Sequence, residues 1–284
     1  MSSFLSMPQD ETLQGLALGK FDGMHLAHKA LFAYLPPKSA LLCIESKGEA
    51  LTPYKESYSP YPIISINFED IMQWNGAYFM EILQSKFPSL QCIVVGYDFA
   101  FGKNRAYSAN DLTHFFNGKV VVVPQFCING IGVHSSVIKT SIRNGNMFEA
   151  ATMLGRYYQV RGSITTGQNL GAKSLYATIN IHTQHYILPQ NGVYASFTHI
   201  NGELMPSVNF VGHRLSTDNA FSIETHIIDK ELWDITDKEV EIYFVQKIRD
   251  NQKFANLEFL KKQITQDIRE SKAILAQANI AYLS

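Results

Sequence analysis

The stretch that decides the fold of the N-terminal half is "LGKFDGMHLAH", residues 18–28. It leaves the apolar run "GLALG", turns through Asp22 and Gly23, and places His25 and His28 three residues apart. We interpret it as a buried strand, a glycine-containing turn and the first turn of a helix. Because the first turn of a helix has unpaired N–H groups and a positive dipole end, this unit can bind an anion.

The residues that follow alternate short apolar strands with helices. Strands of continuous apolar character separated by helices indicate a parallel sheet covered on both faces. The predicted strands are "SALLCI", "IISIN", "CIVVG" and "KVVVVPQF", and the predicted helices are "HKALFAYL", "YFMEILQSKF" and "NDLTHFF".

The pattern changes near residue 157. From there to about residue 249, short alternating strands are separated by turn residues such as "PQNG" and "STDN", which indicates a small antiparallel barrel. A helical segment, 256–283, then follows and is predicted to pack on the barrel. Its apolar face is predicted to consist of Leu257, Leu260, Ile264, Ile268 and Leu275.

These patterns predict an α/β plus β-barrel protein with two domains, residues 1–157 and 158–284. Hydrophobic residues make up 46% of the chain and charged residues 17%, as in globular proteins. The chain has 24 Lys plus Arg against 25 Asp plus Glu, so it lacks the excess of positive charge that non-specific binding to nucleic acid or to a membrane needs.

The cysteines and the chain start favour a cytoplasmic protein. The three cysteines have no metal-binding or redox spacing, so we expect reduced, buried thiols. The start "MSSFLSMPQD" lacks a basic region followed by a long apolar one, and no apolar stretch reaches the ~20 residues that a membrane span needs.

The residues alone leave three readings of His25 and His28. Their N–H groups could stabilise negative charge that develops on a phosphate. They could instead bind a metal, although no cluster of Cys, Asp or Glu completes such a site. They could also be ordinary surface residues.

The opening motif narrows this choice, because "GKFDGMHLAH" resembles the "G-x-F-D-G-x-H-x-G-H" signature of the nucleotidyltransferase superfamily. In that family the two histidines and the helix start hold ATP phosphates while a nucleophile attacks the α-phosphorus. The resemblance implies catalytic roles for His25 and His28. It also implies that the strand end and turn bind ATP, through Gly19, Phe21, Asp22 and Gly23.

A second motif, "VVGYDFAFGKNR" at residues 94–105, resembles the "V-V-G-x-D-F-x-F-G-x-G" stretch of the bacterial bifunctional riboflavin kinase/FAD synthetase (FMN adenylyltransferase) family. The resemblance implies that Asp98 and Phe99 bind flavin or nucleotide. It implies the same role for Gly167 in the second half.

A third motif, "HSSVIKTSIRNGNMFEAATMLGRYY" at residues 134–158, resembles the "S-S-T-x-I-R" segment of this family and the "G-x-x-x-x-A-x-x-x-L-G-R-x-Y" that follows it. Ser135, Ser136 and Lys139 fall on its Ser, Thr and final Arg positions, which implies that they bind ATP phosphates. Without the family, "HSSVIK" is simply a helix N-cap.

The strand "YATINI", residues 176–181, stands in the place of the family's "G-F-P-T-A-N" motif. Alternate residues of a strand point to the same face, so Thr178 and Asn180 can approach one Mg²⁺ together. The resemblance implies this metal role, with ATP as co-substrate. Taken alone, the pair is a solvated strand face.

Two further segments resemble the riboflavin kinase half of the family. "FSIETHIID" matches its "V-E-T-H-I" strand, which implies that Glu224 is the general base that accepts the proton of the riboflavin 5′-hydroxyl. By itself, Glu224 would be taken as a surface residue. "QKIRDNQKFANLEFLKKQITQD", residues 246–267, matches a C-terminal motif, and we expect Arg249 in a loop near the flavin or nucleotide.

The resemblance as a whole implies a transferase that phosphorylates riboflavin to FMN and then adenylylates FMN to FAD. Its partners would be riboflavin, FMN, ATP and Mg²⁺, with at most a weak homo-oligomer. Two alternatives stay open: one activity alone is retained, or the protein binds flavin without catalysis. Ala27 stands where the family has a glycine between the two histidines of its signature. The family's "F-x-P-H-P" block is missing after "LLCIE".

Overall fold

The computed structural model describes residues 2–165, 176–216, 218–230 and 238–283. The chain divides into two compact units, residues 1–135 and 136–284. The proposed functional boundary at residue 157 lies one residue before the first barrel strand, and the helices just before it group with the second unit.

The first unit is built around a parallel sheet. The strands of the whole unit are β1 (Ser2–Ser3), β2 (Gly15–Gly19), β3 (Ser39–Glu45), β4 (Ile63–Asn67), β5 (Cys92–Gly96), β6 (Ala100–Phe101), β7 (Tyr107–Ser108), β8 (Lys119–Val123), β9 (Cys127–Ile128) and β10 (Ile131–Gly132). Its helices are α1 (Leu26–Phe32), α2 (Phe68–Ile71) and α3 (Gly76–Lys86), with 3-10 turns at Lys55–Tyr58, Lys103–Arg105 and Ala109–His114.

The parallel sheet has the strand order β1-β4-β3-β2-β5-β8, and every pairing in it is parallel. Two apolar clusters cover its two faces, so the predicted doubly covered sheet is confirmed. The chain runs outward from β2 in one direction, to β3 and β4, and then in the other, to β5 and β8. In open α/β sheets, ligands bind at the carboxyl ends of the strands where this order reverses, here β2 and β5.

The turn after β2 has an unusual backbone. Phe21 and Met24 have positive φ angles of 49° and 40°, and Gly23 has a φ of 92°. Positive φ is unfavourable for Phe and Met, so packing must hold it in place. Both side chains are fully buried in the cluster beneath β2, which provides that packing.

The second unit is a closed antiparallel barrel with helices. Its strands are β11 (Tyr158–Thr165), β12 (Ile179–His182), β13 (Gly192–Ile200), β14 (Glu203–His213), β15 (Phe221–Ile227) and β16 (Glu239–Asp250). Its helices are α4 (Ser135–Arg143), which begins at the last residue of the first unit, α5 (Met147–Leu154) and α6 (Leu257–Leu275), with a 3-10 turn at Ile280–Leu283.

The barrel closes in the order β11-β12-β15-β14-β13-β16, which confirms the predicted antiparallel barrel. Its interior includes a fully buried group of polar side chains. Ser207 Oγ lies 2.9 Å from Ser196 Oγ and 2.8 Å from Thr198 Oγ1, and the Thr225 hydroxyl donates to Asn209. Because these groups satisfy one another, their burial does not leave unpaired donors or acceptors.

The apolar face predicted for the last helix is partly wrong. Leu257 is 54% exposed, and the buried positions of α6 are Asp267, Ser271 and Leu275. Asp267 is tolerated there because it accepts two hydrogen bonds from Arg249, at 2.9 and 2.8 Å. A charged pair thus replaces part of the expected apolar contact.

The cysteine prediction is confirmed at two positions and wrong at the third. Cys43 and Cys92 are buried, whereas Cys127 is exposed on β9. Across the residues that the structure describes, we find no helix long and apolar enough to cross a membrane.

Candidate active sites

The first candidate site lies at the carboxyl end of β2. The Ser135 hydroxyl donates to the backbone carbonyl of Asp22 at 2.7 Å and lies 3.3 Å from Nε2 of His25. Ser135 and His25 are 110 positions apart in the sequence. The structure therefore brings together two motifs that the sequence analysis assigned to the same ATP phosphates.

The two imidazoles stack on each other, with ring centroids 3.6 Å apart and planes at 17°. His25 is only 3% exposed. His28 is half-buried and also contacts the ring of Phe21, at 5.2 Å between centroids. His28 is therefore the better placed of the two to touch a bound substrate, while His25 lies between His28 and Ser135.

The side chain of Asp22 shapes the wall of this site. Its Oδ1 accepts a hydrogen bond from the Leu51 amide at 2.8 Å and lies 3.4 Å from the Thr52 amide. Gly19 lies close to the ring of Phe21, which would be 3.3 Å from an added Cβ. Asp22 thus fastens the segment that follows β3, in addition to forming the turn.

The other predicted phosphate ligands follow Ser135 on helix α4. Ser136 is exposed and Lys139 is half-buried. Serine at the first positions of a helix is also consistent with simple capping. Their binding role stays a prediction.

The motif after β5 contributes a polar cluster that sequence reasoning missed. Nε2 of His134 lies 3.2 Å from the Tyr97 hydroxyl and 3.2 Å from Nε2 of Gln125. Nδ1 of the same ring lies 3.9 Å from the carboxylate of Asp98. Tyr97 and His134 stand inside the quoted motifs, next to the predicted Asp98 and Ser135, and that proximity was the available signal. Phe99 packs partly on the core.

The second candidate site lies on the barrel, where β12 pairs with β15. Asn180 stands directly opposite Glu224, so the two side chains leave the sheet on the same face. Thr178 is exposed and lies just before β12, which is shorter than the predicted strand. The structure thus brings the predicted metal ligand Asn180 beside the predicted base.

Glu224 has two polar neighbours. The Ser222 hydroxyl donates to Oε1 of Glu224 at 2.9 Å, and Nη1 of Arg214 lies 3.5 Å from the same oxygen. Arg214 also donates two hydrogen bonds to Asp218, at 3.0 and 2.8 Å. Arg214, the first residue after β14, was not predicted as part of the site.

His226 holds the chain just before Thr178. Its Nδ1 donates to the carbonyl of Ala177 at 2.8 Å, and its ring meets the edge of Tyr176. Burial lowers the pKa of His226, so the neutral ring is favoured. This contact fixes the approach of the 176–178 segment to β15.

The structure does not place Arg249 and Gly167, the two remaining predicted flavin or nucleotide ligands, in either candidate site. The expectation that Arg249 lies in a loop is wrong, because β16 continues through it to Asp250. Its guanidinium is held by Asp267, which in turn accepts from Gln263 at 2.9 Å. Gly167 lies outside the described residues.

The oxygens near Glu224 fit a magnesium ion better than a transition metal. Mg²⁺ in nucleotide sites takes one or two protein oxygens and fills its other positions with phosphate and water. Within the described ranges, no group of three or more His, Cys, Asp or Glu could hold a metal ion. The amide oxygen of Asn180 and the hydroxyl of Thr178 are oxygen ligands of the type that suits a magnesium ion.

A family model and several curated relatives match the chain. The riboflavin kinase family model matches residues 154–275. The bifunctional riboflavin kinase/FMN adenylyltransferase of Listeria monocytogenes is 26% identical, with 92% of each chain covered. The protein of the same name from Escherichia coli K12 is 24% identical over 89% of this chain and 90% of its own.

A solved structure matches almost the whole chain. It is described as a macrolide-efflux protein from Streptococcus pneumoniae, and it has a TM-score of 0.84 and 21% identity. It covers 96% of this chain and 97% of its own, which shows that the fold as a whole is shared. With its sheet unit, its barrel and the motifs placed on both, the chain is similar over about nine-tenths of its length to bifunctional riboflavin kinases/FMN adenylyltransferases.

Proposed function

We propose that the chain is a transferase that makes flavin cofactors in two steps. The barrel domain, residues 158–284, phosphorylates riboflavin with ATP to give FMN. The sheet domain, residues 1–157, transfers AMP from ATP to FMN to give FAD and pyrophosphate. Relatives named for both activities match about nine-tenths of the chain, which supports assigning both steps to it. We place the protein in the cytoplasm.

In the first step, Glu224 accepts the proton of the riboflavin 5′-hydroxyl. The freed oxygen attacks the γ-phosphorus of ATP, the bond to the β-phosphate oxygen breaks, and ADP leaves. Thr178 and Asn180 would hold Mg²⁺. When bound, this ion supplies positive charge beside the phosphate oxygens. Arg214 holds one oxygen of Glu224 toward its own guanidinium and thereby orients the carboxylate.

In the second step, a phosphate oxygen of FMN attacks the α-phosphorus of ATP. The bond to the β-phosphate breaks, and pyrophosphate leaves. His28 donates an N–H to the phosphate oxygens, and His25 and Ser135 keep it in place through the stacked rings and their polar contact. We assign Ser136 and Lys139 to the outer phosphates, and Asp98 to the flavin or nucleotide.

The observation that carries the proposal is the meeting of Ser135 with His25 and the Asp22 carbonyl. A phosphate site built from two distant segments needs their polar groups in one place. A structural N-cap would need contacts within its own helix only.

The decisive test is product identity. Purified protein is incubated with riboflavin, Mg-ATP and inorganic pyrophosphatase, and the flavins are separated by chromatography. We expect FMN first and FAD later. FMN without FAD, even when FMN is supplied, would show that phosphorylation alone is retained. FAD formed only from added FMN would show the reverse, and tight flavin binding with neither product would show a binding protein.

A further inference from the structure

We infer that Tyr97 is a stacking platform for the planar ring of a substrate in the adenylyl-transfer site, and that His134 and Gln125 are the positioning residues that hold it. The inference rests on the proposed function. The planar ring is the adenine of ATP or the isoalloxazine of FMN, and the two are separated by the test below.

Tyr97 is fixed at both ends while its ring stays exposed. Its backbone N–H donates to the carbonyl of Val123, at the end of β8, at 2.9 Å. Its hydroxyl lies 3.2 Å from Nε2 of His134. The residue is nevertheless 44% exposed. An aromatic ring held in one orientation without being buried presents a ready face for another flat ring.

The position of Tyr97 fits such a role. It is the first residue after β5, one of the two strands whose carboxyl ends flank the reversal of strand order. The other strand, β2, leads to His25, and Ser135 beside His25 directly follows His134. The ring therefore stands close to the residues proposed to bind phosphates.

The hairpin formed by β9 and β10 brings Gln125 and His134 together. The strands pair through Ile128 and Ile131, and the Asn129–Gly130 turn has positive φ at both residues, as a tight hairpin requires. His134, the partner of the Tyr97 hydroxyl, and Gln125, the partner of His134, thus flank the base of one short hairpin.

Gly132 allows this arrangement to close. A Cβ at that position would lie 2.2 Å from Nε2 of Gln125 and 3.1 Å from Nε2 of His134. The Gln125 amide therefore rests against the Gly132 backbone, and the cluster is packed on its inner side.

The contacts also define the form of the His134 ring. The Gln125 amide nitrogen can only donate, and it points at Nε2, so Nε2 must accept. The ring proton then lies on Nδ1, which faces Asp98 at 3.9 Å. The Tyr97 hydroxyl lies 3.2 Å from the same nitrogen, whose one lone pair it shares with the Gln125 amide, and this contact holds the ring of Tyr97 in one orientation.

The test compares KM values for ATP and for FMN in FAD formation by the full chain. Removing the ring in Tyr97→Ala is expected to raise one of these values about tenfold. A rise for ATP identifies adenine as the stacked ring, and a rise for FMN identifies isoalloxazine. Tyr97→Phe keeps the ring and loses the anchor, so we expect a smaller rise of about two- to fivefold.

The positioning role of His134 has its own readout. His134→Ala should match Tyr97→Phe, and the double variant should be no worse than either single one, because both remove the same hydrogen bond. His134→Gln can present an oxygen near the place of Nε2 and should restore most of the affinity. A merely structural role would not be rescued in this way.

Tyr34→Ala is the matched control. Tyr34 is 48% exposed, and its carbonyl contacts Cys92 at the amino end of β5, the opposite edge of the sheet. Riboflavin phosphorylation, measured in every variant, should not change. If Tyr97→Ala leaves both KM values within twofold of the unmodified protein, or equals Tyr97→Phe, the inference is overturned. If the unmodified protein forms no FAD from FMN, the proposed adenylyl transfer fails first and the inference falls with it.

Discussion

Arg214 shows how one side chain can control the carboxylate assigned as the general base. Its guanidinium grips Asp218 with two hydrogen bonds and reaches Glu224 with the remaining nitrogen. Lysine keeps the charge and loses this forked geometry. We therefore expect Arg214→Lys to lower kcat for riboflavin phosphorylation about tenfold, with FAD formation from FMN unchanged. An unchanged phosphorylation rate would show that Arg214 does not orient Glu224.

We expect His226 to make the stability of the barrel depend on pH. Burial lowers its pKa, so the unfolded chain takes up a proton more readily than the folded one as the pH drops below about 6.5. The stability that His226 contributes is therefore complete at neutral pH and is lost as the pH falls toward the lowered pKa. His226→Asn can still donate to the Ala177 carbonyl and does not titrate.

Thermal unfolding at two pH values checks this expectation. Between pH 7.5 and pH 5.5, the midpoint of the unmodified protein should drop by about 2–4 °C more than that of His226→Asn. Equal drops would mean that other groups cause the acid sensitivity.

At the scale of elements, helix α6 is attached to the barrel by a buried ion pair. Asp267 is 2% exposed and meets Arg249 on β16. Replacing Asp267 by Ala would leave the Arg249 guanidinium without its carboxylate partner, at a cost of about 3 kcal/mol of unfolding free energy. Glu258→Ala in the same helix removes an exposed pair with Lys262 and should cost less than about 0.5 kcal/mol. Urea denaturation of both variants measures the difference. Similar losses of unfolding free energy would show that the ion pair between Asp267 and Arg249 does not attach α6 to the barrel.

The elements also show where sequence patterns reach their limit. Alternation predicted the barrel, but it could not show that the pairing of β13 with β16 contains two register shifts, between Val193 and Tyr194 and between Ala195 and Ser196. Each shift adds one residue to β16, and Arg249, which was expected in a loop, pairs with Val193 beyond both of them. Nor could the apolar stripe of α6 reveal that Asp267 would be buried, because its partner comes from another element.

At the scale of the molecule, we expect the two proposed reactions to depend on separate sets of residues. His28→Ala should abolish FAD formation and leave FMN formation intact. Glu224→Gln should lower FMN formation by at least about a hundredfold and spare FAD formation from added FMN. Both activities are followed by chromatography of the flavins. Equal loss of both in either variant would refute this separation.

The motifs named candidate members of each site but could not give their contacts. The meeting of His25 with Ser135 and the pairing of Asn180 with Glu224 agree with the groups that the family resemblance defined. The stacking that buries His25 could not be predicted, since it depends on the strained turn at Phe21. Tyr97 was not predicted because its role depends on contacts with His134 and Val123, which the spacing of residues in the sequence does not reveal.

The uneven burial of the cysteines offers a practical handle. Burial raises the pKa of Cys43 to about 12 and also raises that of Cys92, so both thiols should be unreactive at neutral pH. Cys127 is exposed on the hairpin that carries Gln125 and His134 at its base. A maleimide dye should therefore label Cys127 selectively in the folded protein, as peptide mass mapping can verify. Its fluorescence would then report the arrival of nucleotide or flavin without any change to the amino-acid sequence.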